Sequence, residues 1–143
     1  MSLSATTTFS ALPHALPICP NARLALFAMR RIGAHGLADA RAAHAVFTAF
    51  GEGFRRPLVL LRAFMADMAS AAARPISIAH CCCSRATPAE AALLTVLARV
   101  ECYSETSRLL LADLLGIRNV DGVLASAAAV AAAFADEGRP ITA

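Results

Sequence analysis

One stretch decides the fold class: it is Thr87–Val100, with the sequence TPAEAALLTVLARV. Thr87, Pro88 and Glu90 stand in the order typical of a helix start, where Thr caps, Pro fits the first helical position and Glu bonds back to the cap. Apolar residues then recur at spacings of three and four, which indicates an amphipathic helix. The stretch therefore predicts a helix that begins at Pro88 and buries one face.

Similar punctuation divides the rest of the chain into helices. An N-cap residue or a proline opens most of the predicted helices, and glycine or proline follows most of their ends. The clearest apolar stripes belong to the third and the last helix and comprise Leu58, Leu61, Met65, Met68 and Ala72, and Val123, Ala127, Val130 and Phe134. Around residues 75–83, Ile76 and Ile78 alternate with smaller residues instead. We expect an extended connector there, for which the sequence identifies no partner strand within the chain.

These patterns predict an all-α fold: a single compact bundle-like domain of about six helices with one short extended connector around residues 75–83. The length of 143 residues fits one domain. Residues 1–17 hold Ser, Thr and Pro in place of a helical pattern. We therefore expect a flexible N-terminal arm at 1–17 and a single helical domain at 18–143.

The cellular compartment is predicted from what the sequence lacks. The N-terminal residues do not have the basic and apolar regions of a secretory signal, and no apolar run reaches the roughly 18 residues that span a membrane. We expect a cytoplasmic protein without membrane contact. Because cytoplasmic thiols stay reduced, the five cysteines are predicted to be free thiols or metal ligands.

The basic residues are all arginines, and there are 13 of them against 10 acidic residues. Five of the arginines could form a basic patch for an acidic partner or a phosphate: Arg30, Arg31, Arg55, Arg56 and Arg62. A solvated helix face is the favoured alternative. Glutamine is absent and no helix combines the residues that contact DNA bases, so the sequence disfavours nucleic acid as a partner.

A cluster of potential metal ligands follows the predicted connector: His80, Cys81, Cys82 and Cys83. If this segment is extended, Cys81 and Cys83 lie on one side, and His80 and Cys82 on the other. A closed zinc site needs four ligands. The remote candidates for a fourth ligand include Cys19 and Cys102, but neither belongs to a paired-ligand motif.

Three interpretations of this cluster remain open. The cysteines are small buried side chains of the core in the favoured one, because free cysteine is among the most buried residue types. In the second they bind a metal, with zinc as a candidate that the spacing does not favour. The third makes them reactive thiols, since Arg85 and the start of the helix at Pro88 would lower a nearby thiol pKa.

A resemblance to a known family rests on two segments. Residues Arg55–Ala63, with the sequence RRPLVLLRA, and the run Cys81–Cys83, together with the Ala- and Arg-rich helices, resemble an uncharacterised family of small alphaproteobacterial proteins. The resemblance extends from about Leu12 onward. It implies a bacterial cytoplasmic origin and a chain that is one complete domain, and it carries no activity and no functional residue over to this chain.

The function is not determined by these patterns, and the sequence leans away from an enzyme because it contains neither G-x-S-x-G nor H-E-x-x-H. Our first hypothesis is a non-enzymatic helical module that forms a homodimer or binds a protein partner. The 58% hydrophobic content favours it, because large exposed apolar patches mark interfaces. The alternative is a metal-binding or thiol-responsive protein centred on Cys81–Cys83.

Overall fold

A computed structural model of the chain describes residues 3–6 and 12–142. The helices in these ranges are α1 Pro20–His35, α2 Ala40–Phe50, α3 Arg55–Ala71, α4 Pro88–Arg99, α5 Ser104–Leu115 and α6 Asp121–Asp136. The short strands are β1 Leu3–Thr6, β2 His14–Ala15, β3 Ile76–Ala79 and β4 Arg85–Ala86, and a 3₁₀ turn at Gly51–Phe54 joins α2 to α3. The prediction of a mostly α-helical compact domain is confirmed.

The core lies between α3 and α6, which form the most extensive helix pair. Both predicted stripes are buried there, and Phe64 of α3 and Phe134 of α6 are fully buried. α1 packs against α2, and α4 against α5, on the flanks of this pair. The α6 helix also buries Leu124, Ala131 and Ala133, so much of its alanine-rich surface is covered within the chain. None of the helices in the described ranges is long and apolar enough to cross a membrane.

The start of α4 has the predicted capping box. The backbone N–H of Glu90 donates to Thr87 Oγ1 at 3.0 Å, and the backbone N–H of Thr87 donates to Glu90 Oε1 at 2.9 Å. Pro88 occupies the first helical position. This prediction is confirmed because every group that it needs lies within four consecutive residues, where distant parts of the chain have little influence.

The connector contains the strand β3, and its partner comes from the N-terminal segment. β1 pairs in parallel with β3, from Leu3 opposite Ile76 to Thr6 opposite Ala79. β2 pairs antiparallel with β4. Two parts of the predicted arm are therefore strands, because β3 and β4 carry backbone groups that need partners. Residues 1–2 and 7–11 of the arm lie outside the described residues, and the division of the chain at residue 18 stays a prediction.

Candidate functional site

A turn replaces the predicted extended backbone at residues 80–83. The strand β3 ends at Ala79, and the N–H of Cys83 then donates to the carbonyl of His80 at 3.0 Å. The N–H of Cys82 donates to His80 Nδ1 at 3.2 Å. The expected alternation of side chains is wrong because a turn redirects them. The side chain of Cys81 accordingly lies beside that of Cys82, with 3.7 Å between their Sγ atoms.

His80, Cys81 and Cys82 form a compact group of metal-ligand atoms. A ring nitrogen of His80 and the two Sγ atoms all lie within 4.8 Å of one another. Two thiolates bound at about 2.3 Å to a tetrahedral zinc ion stand about 3.8 Å apart, which matches the 3.7 Å observed here. The group therefore has the spacing of a soft-metal site before any rearrangement.

The cysteines of the turn do not belong to the core. Cys82 is exposed, and Cys81 and Cys83 are half-buried. The favoured sequence interpretation, in which the three cysteines fill the interior beside Ile76 and Ile78, is therefore wrong. The turn lifts these side chains away from the buried face of β3 and leaves them accessible to a metal ion or a reagent.

Positive charge lies next to the two thiols. Hydrogen bonding to Asp39 raises the pKa of Arg31, and a hydrogen bond to Cys81 raises it further. The same ion pair lowers the pKa of Asp39 to about 2. The pKa of Cys82 is raised, mainly by its hydrogen bond to Cys81 and the charge there, while Arg31 and Arg41 lower it. At Cys82 the neighbouring Cys81 thus outweighs the two arginines, and the net effect is a raised pKa.

A buried ion pair lies behind the turn. The guanidinium of Arg30 in α1 binds the carboxylate of Glu90 in α4 at 2.8 and 3.0 Å. Both side chains are almost completely inaccessible. Glu90 also accepts hydrogen bonds from the N–H groups of Thr87 and Ala79. Its carboxylate therefore makes four hydrogen bonds, as an ionised buried carboxylate requires.

The same ion pair fixes the backbone on the far side of the turn. Arg30 donates to the carbonyl of Cys83 at 2.9 Å and to that of Arg85 at 2.8 Å. The hydroxyl of Thr87 donates to the carbonyl of Ser77 in β3 at 2.8 Å. One network thus holds backbone groups before and after the turn, and this limits where the turn between them can lie.

A groove of about 340 Å³ lies beside the turn. Leu26 and Phe27 of α1 and Leu16 form its apolar wall, and the cysteines of the turn and Arg23 also line it. None of the described lining side chains is acidic. The groove can hold a small molecule in contact with the thiols.

The two remote cysteines stand apart from this group. Cys19 is the N-cap residue of α1, and its Sγ lies 3.9 Å from the carbonyl of Pro140. Partial burial raises the pKa of Cys19, but hydrogen bonds from the side chain of Thr142 and from backbone N–H groups outweigh this and lower it to about 7. Cys102 is exposed between α4 and α5. Neither residue joins the ligand group that the described residues form.

The five candidate arginines do not form one exposed patch. Arg30 is buried against Glu90, and Arg31 is held by Asp39 at 2.8 and 3.0 Å. Arg56 pairs with Asp136 at 2.6 Å, Arg55 lies over the ring of Phe54, and Nε of Arg62 is buried without a hydrogen-bond partner among the described residues. Sequence reasoning treated all five as surface residues, and the buried acid Glu90 is the reason that Arg30 is not.

Sequence reasoning missed the second role of Glu90 and the role of Arg30. Glu90 was identified only as part of the capping box. A signal for Arg30 does exist, because it follows Leu26 by four residues and therefore lies on the buried stripe of α1. A charged residue in such a position indicates a buried partner.

Comparison with known proteins identifies the family of the chain. The sequence model of a family of unknown function, DUF6628, matches residues 1–105. The chain belongs to DUF6628. The match includes α1 to α4 and the cysteine turn, so the predicted resemblance to an uncharacterised family is confirmed. Nothing among the curated proteins matches the chain, and no solved structure matches it.

Proposed function

We propose that this protein binds one thiophilic metal ion at the turn, with Cys81, Cys82 and His80 as its ligands. The observation that carries the proposal is the 3.7 Å separation of the Cys81 and Cys82 Sγ atoms, which is about the separation of two thiolates on zinc. A ring nitrogen of His80 supplies the third ligand. Imidazole and thiolate together suit zinc or a similar soft cation.

The surroundings of the turn support metal binding in two ways. The guanidinium of Arg31 lies beside the sulfur of Cys81, which places a positive charge next to side chains that bind a metal as thiolates. The network of Arg30 and Glu90 fixes the backbone of the turn. A preorganised turn loses less conformational freedom when the metal binds, and this increases the affinity for the metal.

The proposal includes a reducing compartment, and we place the protein in the bacterial cytoplasm. Adjacent accessible thiols stay free to bind a metal only where they are kept reduced. The high content of alanine and arginine is in keeping with a GC-rich bacterial genome.

Zinc titration of untagged, reduced protein tests the proposal, with affinity measured by competition against a chromogenic chelator. We expect one zinc ion per chain. Cys81→Ser and Cys82→Ser should each weaken binding by more than about tenfold, and His80→Ala should weaken it measurably, because each removes a direct ligand. Cys83→Ser is the matched control in the same turn, and it should leave the affinity within about threefold.

Two outcomes would overturn metal binding at this turn. One is the absence of stoichiometric zinc in the wild type, and the other is a loss with Cys83→Ser as large as that with Cys82→Ser. If no zinc binds and a mild oxidant consumes Cys81 and Cys82 together, the thiol-responsive alternative replaces the metal site.

A protein partner or a second copy of the chain is the second candidate function. It is favoured by exposed large apolar side chains, since 94% of Ile18 and 70% of Leu109 is accessible. A partner that covered these side chains would remove their apolar area from water. A homodimer at micromolar concentration is the expected result of sedimentation, and a monomer at high concentration would contradict it.

A further inference from the structure

We propose that the groove beside the turn binds a short mercaptocarboxylate, whose sulfur completes the coordination of the metal and whose carboxylate pairs with Arg23. This inference rests on the metal site proposed above. His80, Cys81 and Cys82 supply three ligands, whereas zinc takes at least four. The fourth position is open to a molecule that lies in the groove, as it is at zinc sites with three protein ligands.

The groove has the size and the lining of a small-ligand site. Its volume of about 340 Å³ lies near the lower end of the range for such pockets. Cys81 and Cys82 line it at one part, and Leu16, Leu26 and Phe27 supply an apolar wall. A ligand that fits has a short apolar body and a donor atom for the metal. Thiolate is the donor that thiophilic metals prefer.

Arg23 selects the charge of the ligand. Its Nε donates to the carbonyl of Pro17, which holds the guanidinium, while its other two nitrogens have no hydrogen-bond partner among the described residues. A guanidinium with two free nitrogens matches the two oxygens of a carboxylate. No acidic residue lines the described groove, so no carboxylate there repels an anionic ligand.

Calorimetry on the zinc-loaded protein tests the inference with 3-mercaptopropionate as the probe. Propanethiol lacks the carboxylate and propionate lacks the thiol. Each should therefore bind more weakly than 3-mercaptopropionate, by about tenfold or more. Arg23→Gln should weaken the binding of 3-mercaptopropionate by about tenfold and leave the binding of propanethiol unchanged. Retention of zinc is checked by metal analysis after each titration.

Arg55→Gln is the matched control, because Arg55 lies over the ring of Phe54 and does not line the groove. It should change the affinity for 3-mercaptopropionate by less than about threefold. Equal binding of all three probes, or equal losses with the two arginine variants, would overturn the groove site while zinc binding stands. A protein that takes up no zinc would overturn the proposed metal site as well.

Discussion

The hydroxyl of Thr87 makes two hydrogen bonds at the start of α4. It accepts from the N–H of Glu90 at 3.0 Å and donates to the carbonyl of Ser77 at 2.8 Å. Thr87 is also buried, so water cannot replace either bond. The residue therefore serves as a helix cap and as a link to β3 at the same time.

Replacement of Thr87 by alanine should lower the free energy of unfolding by about 2 kcal/mol. Loss of the cap contributes about 1 kcal/mol, and loss of the buried bond to Ser77 contributes a similar amount. Thr87→Ser retains the hydroxyl and should cost less than about 1 kcal/mol. Urea unfolding midpoints measure the difference. Equal losses in the two variants would mean that the hydroxyl is not responsible.

Cys19 should be the thiol that responds to pH near neutrality. Its pKa is lowered to about 7, and the thiolate is the reactive form. Its alkylation rate should therefore rise as pH increases through 7. Mass spectrometry of the Cys19 peptide measures this rate. Thr142→Val removes a hydrogen bond to the sulfur and should move the midpoint to higher pH. A midpoint near 9.0, the unperturbed value, in the wild type would contradict this account.

Among the elements, α5 is followed by a residue whose backbone conformation favours glycine. Gly116 has φ of +70°, in the left-handed region, and follows the last residue of α5. A Cβ at this position would lie 3.0 Å from Nε of Arg74. Gly122, by contrast, is the second residue of α6, and a Cβ there would meet nothing within 4 Å.

The same substitution should therefore have opposite effects at these two glycines. Gly116→Ala should destabilise the protein by about 1 kcal/mol, because a left-handed backbone is strained for alanine. Gly122→Ala should stabilise it by about 0.5 kcal/mol, because alanine restricts the unfolded chain and favours helix. Thermal unfolding distinguishes the two, and changes of the same sign would argue against the helix ends described here.

The elements that were predictable from the sequence are those set by neighbours in the chain. The helix α4 follows from four consecutive residues at its start, and the stripe of α3 from the spacing of Leu58, Leu61 and Met65. The pairing of β1 with β3 was not predictable, because it joins parallel segments far apart in the sequence and neither carries a local signal for the other. The turn at His80 was missed because alternation was assumed to continue past Ala79.

At the scale of the whole molecule, the ion pair of Arg30 and Glu90 connects parts that are distant in the sequence. It joins α1 to α4, and through hydrogen bonds to Ala79, Cys83 and Arg85 it also joins β3, the turn and β4. The candidate ligands could be predicted from the sequence as residue types, but their grouping depends on this network. No local pattern encodes a pairing across so many residues.

A double-mutant cycle measures this connection. Arg30→Met and Glu90→Gln should each destabilise the protein, because each leaves its partner charge buried and unpaired. The double variant should cost less than the sum of the two single variants by about 1–3 kcal/mol. Free energies from chemical denaturation supply the comparison. Strict additivity would show that the two side chains do not act together.

X-ray absorption spectroscopy of the zinc-loaded protein tests the metal site most directly, because it reports the atoms bound to the ion. With Cys102→Ser as the background, the account predicts two sulfur ligands at about 2.3 Å and a nitrogen at about 2.0–2.1 Å. Cys82→Ser should remove one of the sulfur ligands. A zinc shell that contains only nitrogen and oxygen would contradict the assignment of Cys81 and Cys82 as ligands.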